Sequence, residues 1–439
     1  HANTEVWKDL RALGATDWRA YEELTTSGSV VGLVRDGSRV EELEPGQTGQ
    51  VVLDRTSFYA ESGGQIADSG IIVVDGARLL VRDVQRPVKG LVVHTVEVAD
   101  GSVRVGQESS AQVDPQWRID ACQAHSGTHV VHAALREVLG PSALQSGSYN
   151  KPGYLRLDFA WNQSLSADAR AEIEHVANLA VRDDLPVSAD WMTLPEARER
   201  GALALFGETY DEQVRVIEIG GEWSRELCGG THVRHSSQIG ALTLTGESSV
   251  GSGVRRLEAF VGMNALQHLA TERALVAELS SIVKAPAADL PERVGELVAR
   301  LREVEKELDK VRREQVAASA GSLTDAASDV AGVTYVGVHV AGGAPDDLRQ
   351  MVTDTRAQLG EERPTVVALT GDGPGKPVIV IATNEAARAK GVKAGALVRV
   401  AAQVLGGGGG GKDDLAQGGG QDATKVEDAL AAVEREIGG

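Results

Sequence analysis

Two short stretches carry residues able to do chemistry. The first is His125-Ser126-Gly127-Thr128-His129 and the second is Cys228-Gly229-Gly230-Thr231-His232. Between them they offer three imidazoles and one thiolate, a donor set that suits a tetrahedral zinc ion in softness and number. His125 and His129 stand four apart, and the run from Val130 to Leu139 continues helically. That spacing puts both rings on one helix face, one turn apart. Gly229 and Gly230 call for a tight turn, able to fold a thiol and an imidazole toward one point. His125, His129, Cys228 and His232 are therefore the expected metal ligands, with Zn2+ as the expected ion. A lone histidine on an amphipathic helix is more often a core or surface residue. It is the distant Cys-His pair, in a chain with two cysteines, that makes the spacing a metal signal. Cys122 and His132 share the helix. With four better donors at hand they are expected to pack or to support the ligands.

The rest of the chain must position these groups. At 439 residues and 42% hydrophobic content it is long enough for several cores. No apolar run approaches the length of a membrane span, and no signal segment opens the chain, so no membrane partner is expected. It begins with His1 and not Met, as a fragment or processed product would. Sparse cysteine fits a reducing, cytoplasmic setting. A net charge of −19 argues against nucleic-acid binding through bulk electrostatics and leaves room only for a local basic footprint. Lys151 with Arg156, the Arg255-Arg256 pair and the cations between Arg300 and Arg313 are candidates.

The pattern predicts a multi-domain α+β chain. Residues 1–27 read as a short helix (Val6, Trp7, Leu10, Leu13) ending a preceding module. Residues 28–115 alternate Val/Leu-rich runs with Gly, Asp and Pro turns, the mark of a small β-barrel or sandwich. Within them Phe58–Gln65 contains Gly63-Gly64, either a plain hairpin turn or a backbone that must approach something closely. Residues 116–262 read as an α+β core built around the metal helix. There Ser248–Glu258 reads as a Gly/Ser loop ending in Arg255 and Arg256, either a phosphate cradle or a connector with solvated charges. Residues 263–322 read as helical. Leu290, Val294, Leu297, Leu301, Val304, Leu308 and Val311 form a heptad seam that fits a helical hairpin or a coiled coil, and with the latter a homodimer. Residues 323–439 read as a separate α/β module holding Gly406–Gly411, Lys412 and Gly418–Gly420. Low complexity usually means a linker, but inside a folded pattern it suggests a loop that meets a ligand backbone.

Several motifs in order resemble alanyl-tRNA synthetase, in its C-terminal half: Phe58–Gln65 (FYAESGGQ), His125–His132 (HSGTHVVH), Phe206–Tyr210 (FGETY), Glu226–His232 (ELCGGTH), Gly253–Glu258 (GVRRLE) and Leu415–Gly420 (LAQGGG). The resemblance covers the chain from end to end. It implies a zinc-containing editing domain (barrel plus core), a helical linker and a C-terminal RNA-binding module. The implied activity is hydrolysis of the ester in Ser-tRNA(Ala) and Gly-tRNA(Ala), and the implied partner is tRNA(Ala) through its mischarged 3′ end. Free-standing alanyl-tRNA editing proteins share the editing motifs. No class II motif for ATP and alanine is found, so the chain is expected neither to activate alanine nor to charge tRNA.

On that resemblance, Gln145 is the candidate reader of the serine hydroxyl, against the plainer alternative of an exposed loop residue. Thr128 is a second candidate, and Gly63, Gly64 and Gln65 adjoin the same site. Arg255, Arg256 and Lys412 are the candidate RNA contacts. Four protein ligands normally close a structural zinc site, whereas catalytic zinc keeps a position open. A noncatalytic tRNA-binding fragment with structural zinc is therefore the competing expectation.

Overall fold

A computed structural model describes residues 4–204, 209–320 and 323–439. Phe206, Gly207 and Glu208 of the FGETY motif lie outside the described residues. The chain divides into two compact units, His1–Glu278 and Leu279–Gly439.

The first unit opens with helix α1 (Thr4–Ala12). Its Trp7 and Leu10 are buried against Val34, Val52, Leu91 and Val93, so this helix is part of the barrel's packing. The barrel uses β1 (Thr25–Arg35), the short β2 (Ser38–Val40), β3 (Thr48–Leu53), β4 (Gly70–Val74), β5 (Ala77–Val88), β6 (Leu91–Asp100) and β7 (Glu108–Val113). Every neighbour is antiparallel, and β7 pairs with both β4 and β1, which closes the sheet on itself. Closure removes the exposed edges an open sheet would carry. Inward residues such as Leu33, Val51, Ile72, Leu79 and Val96 fill the interior. Also inside is His94, whose ring nitrogens meet the Val51 carbonyl at 2.9 Å and the Thr56 hydroxyl at 2.8 Å.

Helix α2 (Pro115–Leu139) follows. Asp114 caps it by accepting from the Gln116 and Trp117 amides, and Pro115 fits its first turn. It packs with α3 (Ala167–Arg182) on an antiparallel sheet of β8 (Gln145–Lys151), β9 (Tyr154–Ala160), β13 (Leu242–Gly251) and β14 (Val254–Val261), in the order β8-β9-β14-β13. Leu155, Leu157, Phe159, Leu257 and Ala259 meet Val130, Val131 and Leu135 in its core. A second sheet joins β10 (Val187–Thr193), β11 (Gln213–Ile219) and β12 (Ser224–Leu227). A buried ion pair ties barrel to core. Arg118 of α2 grips Asp68 with two nitrogens and donates to the Ala20 and Ser57 carbonyls.

Helix α4 (Met263–Val283) leads out of this unit, and α5 (Leu290–Ala320) belongs to the second. The heptad seam of α5 lies bare, with Leu301 58% and Leu308 46% exposed.

The rest of the second unit is a mixed sheet of β15 (Ser328–Val330), β16 (Val333–Val340), β17 (Thr365–Gly371), β18 (Val378–Thr383), β19 (Gly409–Gly411) and β20 (Leu415–Gly419). Their order is β15-β16-β17-β18-β20-β19, and β16–β17 is the parallel pair. Val367 and Leu369 face α6 (Pro345–Leu359), while Val366 and Ala368 face α7 (Ala394–Val404) and α8 (Val426–Gly438). A strand covered on both faces reads as one apolar run, as Thr365–Gly371 does.

Two expected loops are strands. Ser248–Gly251 continue β13, and Arg255 and Arg256 lie on β14. The serines read as loop, but on an edge strand they can face solvent. The glycine run is no free loop either. Its second half, Gly409–Gly411, pairs with β20 as an edge strand. A Cβ on Gly409 would meet the Gly418 Cα at 2.3 Å, and one on Gly407 the Gly419 carbonyl at 2.0 Å. Gly408 and Gly410 have open space instead. Among the described residues no helix is long and apolar enough to cross a membrane.

Candidate metal centre

Helix α2 presents His125 and His129, and the turn after β12 presents Cys228 and His232. One donor atom from each lies within 4.8 Å of every other. Cys228 Sγ is 3.2 Å from His125 Nε2 and 3.3 Å from His232 Nε2. Each imidazole turns its other nitrogen to an orienting group. His125 Nδ1 meets Gln65 Oε1 at 2.7 Å, His232 Nδ1 meets Ser126 Oγ at 3.0 Å, and His129 Nδ1 faces Glu226 Oε1 at 3.2 Å. Such partners set the tautomer and aim Nε2 inward. Both His129 nitrogens are buried without a hydrogen bond, Nδ1 in charge contact with Glu226 and Nε2 facing the cluster, where a metal ion would satisfy it. The donor set and this orphaned Nε2 both fit a resident ion.

The Cys228 charge fits as well, while His129 would have to give up a proton to an entering ion. Burial works against the Cys228 thiolate, but the imidazoles of His125, His232 and His129 win and hold its pKa well below the ordinary value. Burial pushes His232 down to about 3, leaving it neutral. For His129, burial is outweighed by the Glu226 carboxylate and Cys228, which raise it to about 10. Burial pushes Glu226 up, yet His129 and His132 hold its carboxyl below the usual carboxylate range.

The Cys-Gly-Gly turn is clamped from outside. Arg215 donates to the Gly230 carbonyl at 2.6 Å and lies 3.9 Å from the Tyr21 ring centroid, while the Tyr21 hydroxyl donates to Gly229. A Cβ on Gly230 would fall 2.0 Å from the His125 ring, so glycine is required there by close approach.

Gly63 and Gly64 form the two-residue turn of a hairpin closed between Ser62 and Gln65, with φ of 59° and 86°. The turn also makes a close approach, since a Cβ on Gly64 would meet the Ser148 carbonyl of β8 at 2.4 Å. It delivers Gln65, fully buried, to His125 and to Thr231, whose hydroxyl accepts from Gln65 Nε2 at 2.7 Å. Thr128 donates its hydroxyl to the Ala124 carbonyl. Gln145 is on β8, not in a loop, and its amide donates to His132 Nε2 at 3.0 Å. His132 in turn meets Glu226 Oε1 through Nδ1 at 2.9 Å. Glu226, absent from the residues picked out above as ligands or catalysts, thus sits against both His129 and His132. Its signal was its place two residues before Cys228 in ELCGGTH. Cys122 lies outside the four-residue cluster.

Thr128, Gln145, Gly63, His129 and Cys228 all line one cavity of about 390 Å³. Arg255, Arg256 and Lys412 are not among its lining residues. Arg256 makes a two-pronged pair with Asp158, at 2.8 and 3.1 Å, and Arg255 pairs with Glu247. A phosphate would have to compete with these carboxylates. Lys412 is exposed in the turn between β19 and β20.

Three family models match in order. One described as "tRNA synthetases class II (A)" covers residues 1–117, "Threonyl and Alanyl tRNA synthetase second additional domain" covers 214–258, and "DHHA1 domain" covers 332–439. The first spans α1 and the barrel, where no motif for ATP or alanine was found. The alanine–tRNA ligase of Renibacterium salmoninarum is 53% identical over 439 residues, which is 100% of this chain and 49% of that protein. That of Arthrobacter sp. (strain FB24) is 53% identical over 435 residues, 99% of this chain and 48% of that protein. The solved C-Ala domain of Aquifex aeolicus alanyl-tRNA synthetase is 29% identical, covering 26% of this chain and 98% of that one, at a TM-score of 0.24, too low to carry a fold argument. The likeness to the ligases runs through the barrel, the metal cluster and the C-terminal sheet alike, and by it this chain belongs to the alanyl-tRNA synthetase family, spanning about half the length of the curated relatives it matches.

Proposed function

We propose that this chain carries the editing hydrolase of its family: it cleaves the ester joining serine or glycine to the 3′ adenosine of tRNA(Ala), at a zinc ion held by His125, His129, Cys228 and His232. One observation carries the reading. Four donors of zinc-binding type converge on one point, three of them on the wall of a cavity, with His125 and His232 hydrogen-bonded from behind and His129 backed by Glu226. When bound, zinc supplies Lewis acidity toward an ester carbonyl or a water molecule. The chain's own residues bind and select. Serine and alanine differ by one hydroxyl, and a polar group that pairs with that hydroxyl is left unpaired by alanine, which gives strong discrimination. Gln145 is that group. Its backbone is tied to His132, while its carboxamide has no hydrogen bond among the described residues. Thr128 is the second candidate.

In this reading residues 28–115 and 116–262 form the editing domain, 263–322 the helical linker and 323–439 a tRNA-binding module, working in the cytoplasm. Gly408, Gly410 and Lys412 offer RNA an open backbone and one cation. The bare α5 seam suits a homodimer. The completeness of the four-ligand set favours a second reading, in which the zinc is structural and the chain only binds tRNA.

Incubating the purified chain with Ser-tRNA(Ala) separates the two. We expect ester loss, close to one zinc per chain, and a fall in both for Cys228→Ala. A zinc-loaded chain that leaves the ester intact supports the structural reading. An active chain free of metal removes zinc from the mechanism.

A further inference from the structure

Two side chains on the cavity wall are unexplained by metal binding or hydroxyl selection. Trp191, on β10, lines the cavity with 62% of its surface exposed. No aromatic or cationic side chain stacks on its ring among the described residues. Arg86, on β5, lines the same cavity and is exposed. Its guanidinium lies 4.6 Å from the centroid of the Trp18 ring. Trp18 is itself fixed, donating to the Phe58 carbonyl at 2.8 Å and stacking on Tyr59.

Arg86 differs from several other arginines of this unit in having no carboxylate partner among the described residues. Arg118, Arg225, Arg255 and Arg256 are each paired with an acid. Arg215 is spent on the Cys228 and Gly230 carbonyls. Asp211, also on the cavity wall, is taken by Lys89 at 3.2 Å. In a chain of net charge −19, a cation without an acid, held over an indole beside a polar cavity, is a place prepared for an anion. Arginine's planar fork suits phosphate. A bare indole on the same wall suits a nucleobase, because single-stranded RNA is gripped chiefly by stacking on aromatic rings.

We propose that Trp191 and Arg86 seat the terminal nucleotide of a single-stranded RNA 3′ end, Trp191 stacking on its base and Arg86 holding the phosphate on its 5′ side. This rests on the hydrolase reading, since it explains how an ester on the terminal ribose is brought to the metal cluster.

The test uses the intact chain and a labelled five-nucleotide single-stranded RNA ending in adenosine. Trp191→Ala should weaken binding about tenfold, and Trp191→Phe should restore it to within about twofold. Arg86→Gln should weaken binding at low salt and lower the slope of log affinity against log salt by about 0.7. A probe whose last nucleotide lacks its base should bind the unaltered chain as weakly as the full probe binds Trp191→Ala. Zinc content and melting temperature should not move, because both side chains are exposed. Unchanged affinity in Trp191→Ala, or a Trp191→Ala loss that is just as large when the abasic probe replaces the full one, overturns the seat. Binding that follows this pattern in a chain unable to hydrolyse Ser-tRNA(Ala) leaves the seat standing and removes the hydrolase. Hydrolysis of Ser-tRNA(Ala) with the same KM in Trp191→Ala removes the seat and leaves the hydrolase.

Discussion

At the scale of single residues, the cluster separates groups that could hold a metal from groups that hold the holders. Gln65, Ser126 and Glu226 each take the outward nitrogen of one imidazole. Glu226 also reaches, through His132, the amide of Gln145. The proposed selecting residue and the candidate metal ligands are therefore linked by one carboxylate. Replacing Gln145 with Ala should remove the carboxamide and leave this backbone link intact. The expected result is a Ser-over-Ala preference reduced tenfold or more while serine release slows less. The paired deacylation rates of Ser-tRNA(Ala) and Ala-tRNA(Ala) measure it, and full discrimination in the variant would end the hydroxyl-reading role. Donor type and spacing made the four clustered residues legible in the sequence. The orienting groups were harder to read because orientation has no spacing rule. Gln65 comes from a strand hairpin sixty positions before His125, and nothing local marks a carboxamide as belonging to a distant ring.

Secondary-structure elements were legible where one physical pattern dominated. Val333–Val340, Gln213–Ile219 and Ala394–Val404 follow from apolar periodicity alone. Polar strands were not legible. Gln145–Lys151, Ser248–Gly251 and Gly409–Gly411 carry serine, glycine and amide residues that read as loop, yet sheet neighbours recruit their backbones. The barrel also holds an unadvertised titratable group in His94. Burial lowers its pKa from 6.5 to about 4. Its folded value lies below its unfolded one, so the folded state binds fewer protons. That contribution is fully present above pH 6.5 and is lost as pH falls from 6.5 toward 4. It amounts to about 3 kcal/mol when wholly lost. Urea unfolding across this window should therefore show stability falling with pH. His94→Gln, which keeps a hydrogen-bonding side chain between Val51 and Thr56, should fall less steeply. Parallel curves for the two proteins would exclude the histidine as the cause.

For the whole molecule, the sequence marked out a chain of several cores, and the cores are there. A bare heptad seam says that a helix needs a partner without saying which, so assembly was not legible. The glycine run was half legible. Gly407 and Gly409 answer to backbone packing, and Gly408 and Gly410 to nothing within the described chain. Should RNA bind there, holding it through a second module raises the local concentration of the 3′ end. Deleting residues 325–439 should weaken tRNA(Ala) binding and slow editing at limiting tRNA, with zinc content unchanged. Equal editing well below saturation would assign the module another task.

The hairpin at Ser62–Gln65 has a consequence for how the molecule comes apart. The barrel is not a spacer beside a finished site, because its turn supplies the group that aims His125. Metal occupancy and barrel integrity are then two readings of one equilibrium. An ion that needs the aimed ring favours the closed barrel, and by reciprocity a loosened barrel releases the ion more easily. Chelation should thus speed amide hydrogen exchange in the barrel strands nearest Phe58–Gln65 as well as in α2. Gln65→Leu should uncouple the two, leaving barrel exchange indifferent to metal. Barrel exchange equally slow with and without metal in the unaltered chain would show that the turn only rests against the site.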